Sequence, residues 1–298
     1  MPIFGFLNIN KPAGMTSHDV VAKVRRGLKI RKVGHAGTLD PLATGVLVVC
    51  LGGATRLSDY IMHGTKRYTA RMHLGITTDT YDAEGAVMET RDPASIRRED
   101  VEQALYTFNG AFQQIPPMYS AIKQGGRKLY DLARAGQTVE REPRAVTITT
   151  LDILNWQPPH FTLDVECSAG TYIRSLAHDL GEALGVGAHL AGLTRTASGN
   201  FTLENAVELE TLLTSQDRET YLISPKVALA GWPSIQLDEV SIAHIQHGRE
   251  IEFPVTYLPS PANPENILFA YTSDGTLLAI LEQRANHLHP RKVFLPGD

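Results

Sequence analysis

The chain has 298 residues, 43% of them hydrophobic, and 28 Lys and Arg against 32 Asp and Glu give a formal net charge of −4. That is ample apolar material for one large domain, or for one domain with a smaller companion, and it argues against a uniformly basic coat for nucleic acid. The two cysteines, Cys50 and Cys167, lie in apolar runs and argue against a disulfide framework, while no apolar stretch approaches the roughly 20 residues of a membrane span. The opening "MPIFGFLNINKPAG" has no basic region followed by an apolar core, so a cytoplasmic chain that meets no membrane is expected.

"SHDVVAKVRRGL" predicts an amphipathic helix with Ser17 as N-cap, Val20, Val21, Val24 and Leu28 on one side, and Lys23, Arg25 and Arg26 facing outward. A loop punctuated by Gly34, Gly37, Pro41 and Gly45 follows, and "TGVLVVCLG" then reads as a buried strand closed by Gly52-Gly53. "RYTARMHLG" alternates Tyr68, Ala70, Met72 and Leu74 on one face, as a half-buried strand does. "TDTYDAEGAV" is a polar turn region and "EDVEQALYTF" a short helix. A loop rich in Pro and Gly leads to a helix from Lys128 to Ala135 that Gly136 stops.

"AVTITTLDILNW" and "FTLDVECSAG" are strands, and a helix from about Tyr172 to Leu184 carries Ile173, Leu176, Leu180 and Leu184 at helical spacing. Strands and helices in no strict alternation predict an α+β fold, a mixed sheet with helices against it. An acidic stretch and several prolines place a boundary near residue 231. Beyond it lies a small, mostly β module with a hairpin turn at Asp274-Gly275.

Asp40 is the first acid after Asp19, and Lys23, Arg25, Arg26, Lys29, Arg31 and Lys32 lie between them. An Asp before Pro commonly opens a turn and does nothing else. Three glycines and a following strand also suit a rigid mount for one exposed carboxylate, usable as a nucleophile or as a base. His35, in the same loop, has no Ser or Cys nucleophile motif beside it, so a contact role is favoured over a triad role. Tyr172 and Arg174 sit at a strand-to-helix turn, with Thr171 as a candidate cap. Arg174 reads either as an exposed helix residue or as a bidentate partner that keeps a buried carboxylate ionised. Tyr68 is either a core aromatic or a stacking face for a base. The eleven histidines show no zinc-site spacing, so no metal is expected.

Five stretches occur in order: "FLNINKPAGMTSHDVV", "KVGHAGTLDPLATGVLVV", "KRYTARMHLGITTDTYDAEG", "IPPMYSAIKQGGRKLYDLARAG" and "CSAGTYIRSLAHDLGEALGVGAHLAGLTRTASG". Together they resemble the bacterial TruB family of tRNA pseudouridine synthases, which modify uridine 55 in the T loop. The resemblance runs from residue 4 to about 200. It implies the pseudouridine synthase fold with a mixed, mainly antiparallel central sheet, an RNA-binding cleft across it, and neither cofactor nor metal.

It further implies that Asp40 is the catalytic aspartate, with Arg174 as its partner, and that His35 packs into the T arm beside the extruded nucleotide. Tyr68 would stack on the target base, Tyr172 and Leu193 would complete the pocket, Lys11 and Pro12 would support the loop, and Lys123 would lie near the RNA. The expected domains are 1–231, catalytic, and 232–298, similar to a PUA-type RNA-binding domain on the strength of "HGREI" and "HPRKVFLP". The expected partner is tRNA, through its T arm, with no protein partner and a monomeric chain. A non-catalytic RNA-binding protein or tRNA-folding chaperone using the same cleft is the alternative. A glycosidase needs two carboxylates, of which the first motifs offer one.

Overall fold

The computed structural model describes residues 3–120, 122–134, 136–137, 139–253 and 266–295. The principal strands of the larger sheet are β1 (Gly5–Lys11), β2 (Val33–His35), β3 (Thr44–Leu51), β4 (Lys66–Leu74), β5 (Gly110–Gln114), β6 (Arg144–Gln157), β7 (His160–Cys167), β8 (Ala188–Ser198) and β9 (Val207–Glu208). With Phe201–Thr202 they make a ten-stranded sheet among the described residues, ordered β9-β1-β3-β8-β4-β7-β6-β5, with β2 beside β3 and Phe201–Thr202 beside β8. The β1–β9 and β3–β8 pairs are parallel and the other pairs antiparallel, so the sheet is mixed and mainly antiparallel, as expected.

Two helices, α1 (Ser17–Gly27) and α2 (Ile173–Ala183), cover one face. Val20, Val21 and Val24 of α1 and Ile173, Leu176, Ala177 and Leu180 of α2 share one core with Leu7, Ile9, Leu47, Val49, Ala70, Met72, Leu163 and Val165. The cap of α1 is Thr16 rather than Ser17. Thr16 and Asp19 form a reciprocal capping box, and this turns the Ser17 side chain inward, where it is 1% exposed. Thr171 likewise does not cap α2. Its hydroxyl donates to the Ser168 carbonyl, and Tyr172 holds the cap position without a side-chain bond. The helix expected over 128–135 spans Leu129–Arg134, and Ala135 lies outside the described residues.

The second sheet contains β10 (Ser234–Gln236), β11 (Ile251–Glu252), β12 (Ile267–Tyr271), β13 (Leu277–Arg284) and β14 (His287–Val293), ordered β10-β12-β13-β14-β11. The Asp274-Gly275 turn joins β12 to β13, with Gly275 at φ 83°. Its apolar face packs on the larger sheet: Phe269, Tyr271, Leu277, Ile280 and Phe294 form one cluster with Phe6, Val46, Val48 and Cys50. The guanidinium of Arg56 lies 4.6 Å from the Phe294 ring centroid and donates to the Val293 carbonyl, while Lys292 Nζ donates to the Arg56 carbonyl. β3 is therefore buried on both faces, and this accounts for its unbroken apolar run. β4, with its other face toward solvent, alternates instead.

Where β3 meets β8, Gly45 has φ +96°, and a Cβ there would lie 2.2 Å from the Arg195 carbonyl oxygen. Gly45→Ala combines left-handed strain with a backbone collision. It is expected to destabilise the fold by at least about 2 kcal/mol, read as a lowered midpoint in chemical denaturation. An unchanged midpoint would show that β3 and β8 can separate at this point without loss.

Candidate active site

Asp40 stands on the connection from β2 to β3, where backbone polar groups are tied one after another. Arg195 of β8, 1% exposed, donates from Nη2 to the Gly37 carbonyl at 3.1 Å, from Nη1 to the Thr38 carbonyl at 3.3 Å and from Nε to the Val46 carbonyl at 2.7 Å. Ser17 takes the next residue. Its Oγ donates to the Leu39 carbonyl at 3.0 Å and accepts the Leu39 N–H at 2.8 Å. The Asp40 carbonyl accepts from the Ala43 N–H, and the Pro41 carbonyl accepts from the Gly14 N–H at 2.9 Å and from Lys11 Nζ at 3.3 Å. Lys11 is fully buried and also donates to the carbonyls of Pro12 and Met15. Burial lowers its pKa to about 8, with the charge of Asp40 pulling the other way. Lys11 thus ties the backbone of Pro12 and Met15 to that of Pro41, next to Asp40.

The Asp40 side chain is 39% exposed, and its Oδ2 accepts from Arg174 Nε at 3.0 Å. The expected bidentate fork is not formed. Arg174, 7% exposed, divides its donors: Nη2 to the Tyr119 carbonyl at 2.8 Å, and Nη1 to the Thr80 carbonyl at 3.3 Å, with Asp82 Oδ2 at 3.5 Å. Solvent reaches one side of the Asp40 carboxylate and protein crowds the rest. Burial raises its pKa, Arg174 opposes the rise, Asp82 adds to it, and Lys11 opposes it again. Protonation is thus brought closer to neutrality than for an exposed aspartate.

Sequence reasoning passed over Asp82 as part of a polar turn. Its side chain is 5% exposed, and Oδ1 accepts from Thr80 Oγ1 at 2.6 Å and from the Glu84 N–H at 3.0 Å. The site therefore holds two carboxylates on one guanidinium, not the single one counted from the motifs. Because Asp82 is enclosed and engaged by its own turn, it offers no face to a sugar or a water, and the pair does not flank a space as glycosidase carboxylates do. Arg195 was also missed, for its partners are backbone carbonyls, which no side-chain motif marks.

Gln114 of β5 sets the start of α2: its Nε2 donates to the Tyr172 carbonyl at 3.0 Å and its Oε1 accepts the Tyr172 N–H at 2.8 Å. Ser175 Oγ, one residue past Arg174, donates to the Ile115 carbonyl. Tyr68, on the inward face of β4, is 8% exposed and pairs in register with Arg195. Burial raises the phenol pKa of both Tyr68 and Tyr172, and the charge of Asp40 adds to each rise, so both rings share its electrostatic surroundings. Leu193 pairs with Ala70 and packs on the same core as Tyr68.

His35 closes β2 and sets its ring edge-on to His18, with 5.3 Å between ring centroids. Burial, then the charges of His18 and Arg195, lower its pKa to about 4, so near neutral pH the ring is uncharged and suited to contact. The backbone of Lys123 pairs with Lys128, while its side chain lies outside the described residues. Among the described residues, no three His, Cys, Asp or Glu side chains come together as a metal site, and no helix is long and apolar enough to cross a membrane.

Known proteins place this arrangement in a class. Residues 25–173 match the TruB family pseudouridylate synthase N-terminal domain, and residues 174–225 match the tRNA pseudouridylate synthase B C-terminal domain. The fold is that of the pseudouridine synthases, and the class is an isomerase. More narrowly, the chain belongs to the TruB family. It is 48% identical to "tRNA pseudouridine synthase B" of Pseudomonas aeruginosa over 258 residues, 85% of this chain and 84% of the relative. It is 43% identical to the protein of that name from Thiobacillus denitrificans over 292 residues, 97% and 95% of the two chains. Among solved structures, a chain of a Cbf5-Nop10-Gar1 complex superposes with TM-score 0.77 at 28% identity, covering 98% of this chain and 85% of that one.

The buried, uncharged state of His35 has a consequence for stability. In the unfolded chain this imidazole takes up a proton near its ordinary pKa of 6.5, whereas the folded one does so only near 4. Its contribution is present above pH 6.5 and lost as pH falls toward 4. Denaturation midpoints measured across that window are expected to fall less steeply in His35→Gln than in wild type, and identical slopes would contradict the burial of the ring.

Proposed function

We propose that this chain isomerises uridine 55 in the T loop of tRNA to pseudouridine, with Asp40 as the catalytic carboxylate. The observation that carries the reading is the Asp40 loop itself: a partly exposed carboxylate on a backbone tied by Lys11, Ser17 and Arg195, held from one side by Arg174. The names of the relatives support tRNA as substrate.

The target base is stacked within folded RNA, and extruding it costs a few kcal/mol, offset by stacking and pocket contacts. Tyr68 supplies the stacking face, and Tyr172 and Leu193 close the pocket around the base. His35 fills the space left in the T arm, and Lys123 lies along the RNA. The C1'–N1 bond then breaks, the retained uracil turns, C5 bonds to C1', and the C5 proton leaves while N1 regains one. The reaction neither gains nor loses electrons, so it needs no redox cofactor. Asp40 serves in one of two ways, by attacking C1' or by removing the 2' proton to form a glycal. Both require the ionised carboxylate, so the activity is lost on the acid side as Asp40 protonates. Arg174 counters the burial that would extend that loss toward neutrality.

Residues 1–231 form the catalytic domain in this reading, and 232–298 a PUA-like RNA-binding domain. The chain acts on the T arm as a cytoplasmic monomer without a protein partner. The alternative is an RNA-binding protein or folding chaperone that occupies the same cleft without chemistry.

Tritium release from an unmodified tRNA transcript labelled at C5 of uridine tests the reading. Purified wild type is expected to release one tritium per tRNA, from position 55, and Asp40→Asn none. Turnover by the variant would remove Asp40 from the mechanism, whereas tRNA binding without release by wild type would leave the chaperone reading.

Arg174→Lys keeps the charge but cannot span its acceptors. It is expected to bind tRNA as wild type does, to turn over about 100-fold more slowly, and to shift the acid limb of the kcat–pH profile to higher pH. Wild-type kcat in this variant would contradict the partnership with Asp40.

A further inference from the structure

Tyr81 has a backbone φ of 66°, a left-handed conformation that glycine adopts freely and a bulky side chain adopts only under strain. Its position is over-determined by its neighbours. The Tyr81 N–H donates to the Thr78 carbonyl, its own carbonyl accepts from the Leu190 N–H of β8, and the Ala83 N–H returns a bond to the Leu190 carbonyl. The left-handed residue thus turns the chain so that Asp82, next in sequence, is held beside Leu190 and directed at Arg174. A glycine would make this turn at lower cost, so the tyrosine ring requires a separate reason.

The ring lies flat on His178, with 3.9 Å between centroids and 7° between planes. His178 is on α2, one helical turn after Arg174 and therefore on the same side of the helix. α2 grips the turn at two points. Arg174 takes the Thr80 carbonyl and the Asp82 carboxylate, and His178 takes the Tyr81 ring. The Arg174 contacts alone would leave the turn free to pivot about one guanidinium. Among the described residues His178 Nδ1 is buried without a hydrogen-bond partner, so no hydrogen bond from that nitrogen competes with the stack in fixing the imidazole.

We infer that Tyr81 and His178 are positioning residues for the isomerisation. Their stack fixes Asp82 against Arg174, and through Arg174 it fixes the direction in which the guanidinium meets Asp40. The inference rests on the reading of Asp40 and Arg174 given above.

Tyr81→Gly removes the ring and relieves the backbone strain together, so the variant has no reason to misfold. It is expected to keep or exceed the wild-type melting temperature and to hold KM for tRNA within about twofold, while kcat falls on the order of tenfold. Tyr81→Phe keeps the stack and should restore kcat. His178→Ala should lose as much as Tyr81→Gly, and the double variant no more than either single one. A structural role alone would lower stability and leave kcat of the folded enzyme unchanged. Wild-type kcat in Tyr81→Gly, failure of Tyr81→Phe to restore it, or losses that multiply in the double variant would overturn the inference. Wild type that released no tritium would count against the proposed function instead, because the comparison among variants presupposes an active parent.

Discussion

The structure depends on how carbonyl groups are satisfied between Gly37 and Pro41. That connection leaves its strand through a glycine with φ +104°, and the carbonyls of Gly37, Thr38, Leu39 and Pro41 accept from side chains. Buried carbonyls without donors are costly, and charged donors satisfy them better than neutral ones. Arg195 from one strand and Lys11 from another arrive on either side, and Ser17 fills the middle from the helix. Two buried cations thus serve backbone oxygen rather than a carboxylate. The positive field that Lys11 places at Asp40 is a by-product of the same arrangement, and it opposes the burial of that carboxylate.

Asp40 and Asp82 share one guanidinium yet differ in burial. Asp40 keeps 39% of its side-chain surface and Asp82 keeps 5%. The exposed member can meet a reacting atom; the enclosed one can only orient what touches it. Their surroundings leave two identical side chains with different access, and Arg174 couples the two because its donors reach both at once.

Where side-chain periodicity decides the outcome, the sequence was legible. β4 and β7 alternate and α1 and α2 keep apolar residues at helical spacing; the limits of β4, α1 and α2 fell within one residue, while β7 ends at Cys167, three residues before the end of the stretch read as a strand. The cap of α1 was misplaced by one residue although the signal was there, because Asp19 lies three residues after Thr16, the spacing of a capping box. Asp40 and Arg174 were found as a pair through the resemblance, but the shared use of the guanidinium was not. Asp82 and Arg195 stayed hidden for one physical reason. Their partners are backbone groups or residues distant in the chain, and neither leaves a pattern in the residues nearby.

The face of β3 opposite the helices is closed by the smaller sheet, through Val46, Val48 and Cys50 against Phe269, Ile280 and Phe294. That sheet is therefore part of the wall behind the strand into which the Asp40 loop runs, whatever else it touches. A chain cut near residue 231 would turn an interior strand into an apolar surface patch, the kind that drives aggregation. Solubility would then set the shortest usable form of this protein, well before the chemistry of its loop did.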